Sequence, residues 1–227
     1  MGNLDKKYII AIDGGAGTGK STVSEEISKR LDIVHIDTGA LYRAATVYFL
    51  DNDIEPTDEN IDKNLNNINI GMERIDGVLN VFLNDENVTT KIRKEIVSNT
   101  VPVVAKYQPL REKIVEIQRE IAKNQSVVID GRDIGTVVFP NADLKIFLTA
   151  SLEKRAERRT SDLNSSNEKA DLTTTKEDLA KRDLQDTTRK NSPLKQAEDA
   201  VVVDTTNNTV ELSADIIIDL LKKRIDI

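Results

Sequence analysis

Cysteine and tryptophan are absent from the sequence, and histidine occurs once, at His35. The absence of cysteine excludes disulfides, thiolate metal ligands and cysteine nucleophiles. A single histidine cannot build a metal site of several imidazoles. A metal ion bound to this chain is therefore expected to be held mainly by oxygen ligands.

Long apolar runs and net positive charge are also absent. The 227 residues include 32 Lys and Arg against 39 Asp and Glu, a formal net charge of −7, which disfavours polymeric nucleic acid as a partner. No run approaches the ~18 apolar residues of a membrane helix, and the first apolar run is too short for a signal peptide. We expect a cytoplasmic protein with no membrane contact, and a monomer, since nothing in the sequence demands a partner chain.

Five short apolar runs predict buried strands of an α/β fold, and helical patterns separate them. The runs are Tyr8–Ile12, Ile33–Ile36, Ser126–Ile129, Leu144–Leu148 and Ala200–Val203. Helices are predicted at residues 21–31, 109–123, 151–161, 176–189 and 209–223. Such alternation implies a mostly parallel sheet covered by helices on both faces. At ~150 residues per domain, one core with inserted subdomains fits the length.

The region between the second and third runs is too long for a simple connection, and residues 39–105 are predicted to form an inserted subdomain. Helices are expected at 39–52, at 58–67 with Thr57 as N-cap, and at 89–98. Between them, two apolar stretches flank Asp76-Gly77, a dipeptide typical of hairpin turns. A second, polar stretch at 160–175 suggests a mobile surface loop.

A phosphate-binding loop is predicted directly after the first strand. The pattern G-x-x-x-x-G-K-[ST] occupies Gly14, Gly15, Ala16, Gly17, Thr18, Gly19, Lys20 and Ser21, and Thr22 follows in the predicted helix. Backbone N–H groups of such a loop surround an anion, Lys20 reaches the β- and γ-phosphates, and the Ser21 hydroxyl can bind Mg²⁺. ATP binding is the expectation, and a glycine-rich turn without a ligand is the alternative.

A carboxylate at the end of the third strand, Asp130, is the second candidate ligand of Mg²⁺. In phosphate-loop proteins such a residue holds the ion directly or through water. The alternative is a turn-capping role, because aspartate is common where strands end.

The sequence lacks the Asn/Thr-Lys-x-Asp guanine reader of GTPases and is too short for motors, which leaves small-molecule and nucleotide kinases. Two polar segments, Asp37–Arg43 and Asp130–Thr136, follow the second and third strands, where open α/β sheets bind ligands. These two segments resemble the bacterial cytidylate kinase family of nucleoside monophosphate kinases. The same resemblance is carried by the phosphate loop, Val137–Asp143, Arg155–Arg159, and Arg182-Asp183 leading to Asp186 and Arg189. The resemblance covers nearly the whole chain.

The resemblance implies a five-stranded parallel core at 1–38 and 106–227, a partly β insert for the nucleoside monophosphate at 39–105, and a lid at 155–175. It also implies transfer of the γ-phosphoryl group of ATP to CMP or dCMP. Another small kinase of the adenylate or shikimate type, or a non-catalytic nucleotide-binding module, is the alternative. The lid arginines are expected to gain partners only when the lid closes.

Several cations are needed to bring two phosphates that repel each other into line. The candidates are Lys20, Arg43, Arg132, Arg182 and Arg189, joined from the lid by Arg155, Arg158 and Arg159. By resemblance, Arg43, Arg132 and Arg189 hold the CMP phosphate, while Arg182 and the lid arginines approach ATP. For each lid arginine, a solvated surface charge is the alternative.

Cytosine recognition is assigned by resemblance to Asp133 and Arg111. A serine that assists them in many relatives has no clear counterpart, since the ungapped position holds Pro102, and Ser98 or Thr100 are the possible substitutes. By the same resemblance Asp186 contacts the sugar hydroxyls and Thr38 lies near the nucleotide phosphate. The alternatives are an ion pair for Asp186 and a helix N-cap for Thr38. His35 is expected to be a buried histidine with a satisfied ring.

Overall fold

The structure, a computed structural model, describes residues 7–75, 78–165 and 169–225. It divides into two compact units. The first unit comprises Met1–His35 and Gln125–Ile227, and the second unit comprises Ile36–Asn124. The sequence-based insert at 39–105 stays a prediction, and the second unit is longer than that insert at both ends.

Eight strands and eight α-helices lie in the described residues. The strands are β1 (Ile9–Gly14), β2 (Val34–Asp37), β3 (Ile70–Ile75), β4 (Val78–Leu83), β5 (Glu86–Asn87), β6 (Val127–Gly131), β7 (Leu144–Thr149) and β8 (Val201–Asp204). The helices are α1 (Lys20–Leu31), α2 (Thr38–Asp51), α3 (Asp58–Asn64), α4 (Glu95–Val104), α5 (Gln108–Ala122), α6 (Leu152–Ser165), α7 (Leu172–Thr188) and α8 (Val210–Ile225).

The first unit is built on a five-stranded sheet in the order β2-β6-β1-β7-β8. β1 pairs in parallel with β6 and β7, and β7 pairs in parallel with β8. The predicted α/β fold with a five-stranded parallel sheet is confirmed. Apolar side chains of β1 and β7 pack with those of α1 and α8 in one buried cluster, which includes Ile10, Ile146, Ile27 and Leu221. Burial of such side chains stabilises the unit by roughly 1.5–3 kcal/mol for each large aliphatic residue.

The second unit combines helices with a small antiparallel sheet in the order β3-β4-β5. β3 and β4 form the predicted hairpin, whereas its Asp76-Gly77 turn lies outside the described residues. The Thr57 side chain accepts a hydrogen bond from the Asn60 N–H at 3.3 Å, which confirms this predicted N-cap. Phe49 of α2 is fully buried in this unit.

Two sequence-based expectations are wrong. The helix expected at 89–98 is a 3₁₀ turn at Lys91–Arg93 followed by α4, which continues through Pro102 to Val104. The loop expected at 160–175 is mostly helical, because α6 runs to Ser165 and α7 starts at Leu172. Short polar side chains in this stretch form hydrogen bonds at the helix ends. The Ser165 hydroxyl donates to the Ser161 carbonyl, and the Asp171 carboxylate accepts from the Thr174 N–H as the N-cap of α7.

Among the helices that the structure describes, none combines the length and the apolar character needed to cross a membrane.

Candidate active site

The phosphate loop lies between β1 and α1, as predicted. Gly14 ends β1 at a place where an added Cβ would lie 2.3 Å from the carbonyl oxygen of Leu148 in β7. Gly17 has a φ of 75°, in the left-handed region that glycine adopts without strain. The loop then enters α1 at Lys20, and the first turn of that helix contains no acidic residue. These features leave backbone N–H groups and a helix N-terminus available to an anion.

We predict that Gly14→Ala lowers the melting temperature, because the methyl group overlaps a backbone carbonyl that can move only with β7. The expected loss is roughly 2–3 kcal/mol, or a decrease of about 5–10 °C. Gly71→Ala is the matched control, since nothing lies within 4 Å of a Cβ at Gly71 in β3. Thermal melts of both variants check the prediction, which a similar melting temperature for the two would contradict.

Lys20 is buried, with 6% of its surface exposed, and its Nζ donates a 2.7 Å hydrogen bond to the Gly15 carbonyl. Burial and, next, the positive charge of Arg132 lower the pKa of Lys20 to about 7, with a further contribution from Arg182. The carboxylates of Asp130 and Asp13 act in the opposite direction. A buried ammonium held near two guanidinium groups favours an anionic ligand that neutralises all three.

Ser21 and Asp130, the two predicted metal ligands, contact each other. The Ser21 hydroxyl donates to Asp130 Oδ2 at 2.8 Å, and Nε2 of His35 lies 2.6 Å from Asp130 Oδ1. The ring of His35 is therefore satisfied, as expected, although His35 is only partly buried, and the sequence did not indicate that its partner is Asp130. Both oxygens of the Asp130 carboxylate are held in place by residues of the first unit.

The donor set fits Mg²⁺. Ser21 and Asp130 offer oxygen atoms, which Mg²⁺ prefers, and phosphate and water normally complete its coordination. Within the described ranges, no group of three or more acidic or histidine side chains could hold a metal by itself. The pair is thus suited to an ion that arrives with a nucleotide.

Arg132, Asp133, Asp186 and Arg189 form a charged cluster. Nε of Arg132 donates to Asp186 Oδ2 at 2.7 Å, and Nη2 of Arg189 lies 3.5 Å from Asp133 Oδ1. Burial by itself raises the pKa of Asp186, but the charges of Arg132, Arg182 and Arg189 outweigh it and lower that pKa. Asp186 is therefore an ionised partner of arginines, which agrees with the ion-pair alternative and leaves its sugar-binding role a prediction.

Arg155 is buried against the phosphate loop. Its Nη1 donates to the Ala16 carbonyl at 3.1 Å and to Asp183 Oδ2 at 2.6 Å, which joins α6 to α7. Arg158 donates to the Thr205 carbonyl at 2.6 Å, and the Thr205 hydroxyl donates to the Thr18 carbonyl. The solvated-charge alternative is wrong for Arg155.

The expectation that the lid arginines gain partners only on closure is also wrong for Arg155 and Arg158, because both already have partners. Arg159 and Arg182 are half-buried on α6 and α7. Arg182 lies close enough to Lys20 and Asp186 to affect the pKa values of both. It therefore lies near Lys20 of the phosphate loop.

Asp13 is a site residue that sequence reasoning missed. Its two carboxylate oxygens accept the backbone N–H groups of Ile134 and Gly135, each at 2.8 Å. Burial raises the pKa of Asp13 to about 6, while these two hydrogen bonds act in the opposite direction. Its position before Gly14 was the available signal, but the contact depends on residues more than a hundred positions away.

The second unit contains the remaining candidates. Asp37, and not Thr38, is the N-cap of α2, since its side chain accepts from the Ala40 N–H and also pairs with Arg43 at 2.8 Å. Thr38 itself is buried. The N-cap alternative for Thr38 is therefore wrong.

Arg111 is buried with its guanidinium 5.5 Å from the centre of the Tyr42 ring, and it donates to the Ala105 carbonyl. Pro102 lies inside α4. The Thr100 hydroxyl donates to the Ile96 carbonyl one turn earlier in the same helix, whereas Ser98 lies half-buried. That Ser98 or Thr100 takes the place of the missing serine stays a prediction.

Comparison with known proteins decides the family. A sequence model described as cytidylate kinase matches residues 10–223. This chain belongs to the cytidylate kinase family. Curated cytidylate kinases are 45% identical over 96% of this chain and 97% of the relative in Caldicellulosiruptor bescii, and 46% identical over 98% and 99% in Listeria innocua. The match includes both units.

Among solved structures, an uncharacterised protein from Eubacterium ventriosum is similar in fold to this member of the cytidylate kinase family. It has a TM-score of 0.54 and 13% identity, over 96% of this chain and 100% of that chain. At that identity the likeness concerns the fold alone.

Proposed function

We propose that this protein transfers the γ-phosphoryl group of ATP to CMP or dCMP, giving ADP and CDP or dCDP. Membership of the cytidylate kinase family supports the reaction. The observation that carries the assignment to residues is the convergence of Arg132 and Arg182 on the buried Lys20, whose pKa is lowered first by burial and then by these two charges. Such a group of cations calls for a ligand with several negative charges, as two phosphate groups in line would be.

The acceptor oxygen belongs to a phosphate that is already anionic, so the reaction needs no general base. The residues then act by alignment and charge neutralisation. Lys20 and the backbone of Gly14–Thr22 hold the ATP phosphates, with Arg155, Arg158, Arg159 and Arg182 on the same side. Arg132 and Arg189 hold the CMP phosphate.

The base and the sugar are assigned to two carboxylates. The Asp133 carboxylate accepts from the cytosine amino group, and Asp186 binds the sugar hydroxyls while it orients Arg132 through their 2.7 Å contact. Acceptor-binding roles for Thr38, Arg43 and Arg111, in the second unit, rest on the family resemblance alone.

Ser21 and Asp130 would hold Mg²⁺. The bound ion would neutralise part of the charge on the β- and γ-phosphates. The 2.6 Å contact of His35 with Asp130 orients this carboxylate.

The test follows ADP production from Mg-ATP with CMP, dCMP, UMP, AMP, GMP and shikimate offered separately. CMP and dCMP are expected to be much better acceptors than the others. Preference for AMP or shikimate would indicate another small kinase, and ATP binding without acceptor-dependent ADP release would indicate a non-catalytic module. Either result would refute the proposal.

Lid closure is expected to protect residues 155–175 from trypsin when ATP and CMP are both bound. Arg155 and Arg158 already have partners, so the change should be largest at Lys169, which is exposed beyond α6. Cleavage at Lys222 and Lys223, exposed at the end of α8, is the internal control. Equal cleavage at Lys169 in free and doubly bound protein would count against closure.

A further inference from the structure

Asp13 lies at the point where β1 passes into the phosphate loop. It is 4% exposed, pairs in register with Gly131 of β6, and precedes Gly14, which fits closely against β7. Its carboxylate accepts the N–H groups of Ile134 and Gly135. These groups open the π-helical turn Ile134–Val138, whose preceding residue is Asp133.

We propose that Asp13 is a positioning residue, which sets the place of Asp133 relative to the phosphate loop and thereby contributes to the choice of acceptor base. The inference rests on the proposed function, because it assumes that Asp133 reads cytosine.

The geometry explains why the position needs a carboxylate. Two adjacent N–H groups at the start of a helical turn have no partner within that turn, and both point at one side chain. A carboxylate accepts at both oxygens, whereas an asparagine in the same place accepts at one and turns an N–H₂ group toward the other donor. The position holds an aspartate although burial and the nearby charge of Asp133 raise its pKa, so the ionised form is costly here.

Close packing makes the attachment rigid. A Cβ at Gly135 would lie 3.1 Å from Cδ of Lys145 and 3.4 Å from Oδ2 of Asp13. Lys145 is itself buried and paired with Asp199 at 2.8 Å. The backbone that follows Asp133 is therefore held by Asp13 on one side and packed against Lys145 on the other, and Asp13→Asn would remove one of the two hydrogen bonds that fix its position.

The test compares Asp13→Asn with Asp143→Asn. Asp143 is the matched control, because its carboxylate also accepts a backbone N–H from a distant part of the chain, that of Ile9 at 2.9 Å, at the opposite end of β1 from Asp13. The measurement is the ratio of kcat/KM for CMP to kcat/KM for UMP, with the melting temperature of each variant. A purely structural aspartate changes stability but leaves this ratio alone, since both acceptors share the phosphate and the sugar.

Asp13→Asn is expected to lower the CMP-to-UMP ratio at least about fivefold, because a small misplacement of a recognition group has large kinetic effects. Asp143→Asn should leave the ratio within about twofold of the wild type. A smaller change in Asp13→Asn, or an equal change in both variants, would overturn the positioning role.

If Asp13→Asn fails to fold, Gly135→Ala decides, since its methyl group would lie 3.1 Å from Cδ of Lys145 and 3.4 Å from Oδ2 of Asp13 and would crowd the same stretch of backbone without changing the carboxylate. It should lower the ratio at least about threefold, and a smaller effect would overturn the inference. A wild-type protein that phosphorylates no CMP would refute the proposed function, and this inference with it. A wild type with strong CMP preference and an unaltered Asp13→Asn ratio would refute the positioning role alone.

Discussion

Lys20→Met is expected to remove most of the kinase activity while raising the melting temperature of the nucleotide-free protein. Lys20 would offset the charge that develops on the transferred phosphoryl group, and loss of one such cation is worth roughly 3–5 kcal/mol, or about a hundredfold or more in turnover. Steady-state kinetics with saturating ATP and CMP measure it. A variant that keeps more than about a tenth of the wild-type turnover would contradict the role of Lys20.

The expected stabilisation follows from the sign of the pKa change. The pKa of Lys20 falls from 10.5 to about 7 in the folded protein. Between these values the unfolded chain binds more protons, so the stability of the protein rises with pH from about 7 to about 10.5. At neutral pH, where about half of the folded molecules carry the Lys20 charge, the protein is therefore less stable by several kcal/mol than at alkaline pH, at about 1.4 kcal/mol per pKa unit.

Methionine keeps the apolar stem of the side chain and removes the buried charge. Lys145→Met is the matched control, because Lys145 is equally buried at 6% but is paired with Asp199. We expect a higher melting temperature for Lys20→Met and a lower one for Lys145→Met. A decrease of similar size in both variants would show that the Lys20 charge does not destabilise the free protein.

Asp133→Asn is expected to narrow the preference for CMP over UMP. Uracil presents a carbonyl oxygen where cytosine presents an amino group, and this oxygen would face the Asp133 carboxylate without a proton between them. Such a mismatch costs several kcal/mol and can discriminate by about 10³-fold. The asparagine amide can turn a donor toward the uracil oxygen, so CMP use should fall while the CMP-to-UMP ratio decreases. Asp133→Ala should impair CMP use without helping UMP.

The competing role for Asp133 is to hold an arginine in place by an ion pair. In the structure Nη2 of Arg189 lies 3.5 Å from Asp133 Oδ1. Asp186→Asn is the matched control, because Asp186 also faces Arg132 and Arg189 but would contact only the sugar. It should depress CMP and UMP use alike. If Asp133→Asn behaves in the same way, with an unchanged ratio of kcat/KM for the two acceptors, Asp133 does not read the base.

Local signals in the sequence were sufficient for most of the fold. All five predicted strands of the parallel sheet are present, because a short apolar run bounded by turn residues has few other ways to bury itself. The helix boundaries were less predictable. The composition of the polar stretch at 160–175 predicts a loop. In the structure its serine, threonine and aspartate side chains form hydrogen bonds at helix ends instead, as Asp171 does at the start of α7.

The phosphate loop, with Lys20 and Ser21, was determined by the sequence alone, since the spacing of its glycines and its place between a strand and a helix are properties of adjacent residues. Only the tertiary structure decided which partners meet there. Asp13 reaches Ile134, His35 reaches Asp130, and Arg155 reaches Ala16, across 121, 95 and 139 positions of the chain. Such contacts depend on strand order and register, which place residues distant in the chain side by side. They cannot be predicted from a local pattern of residue types.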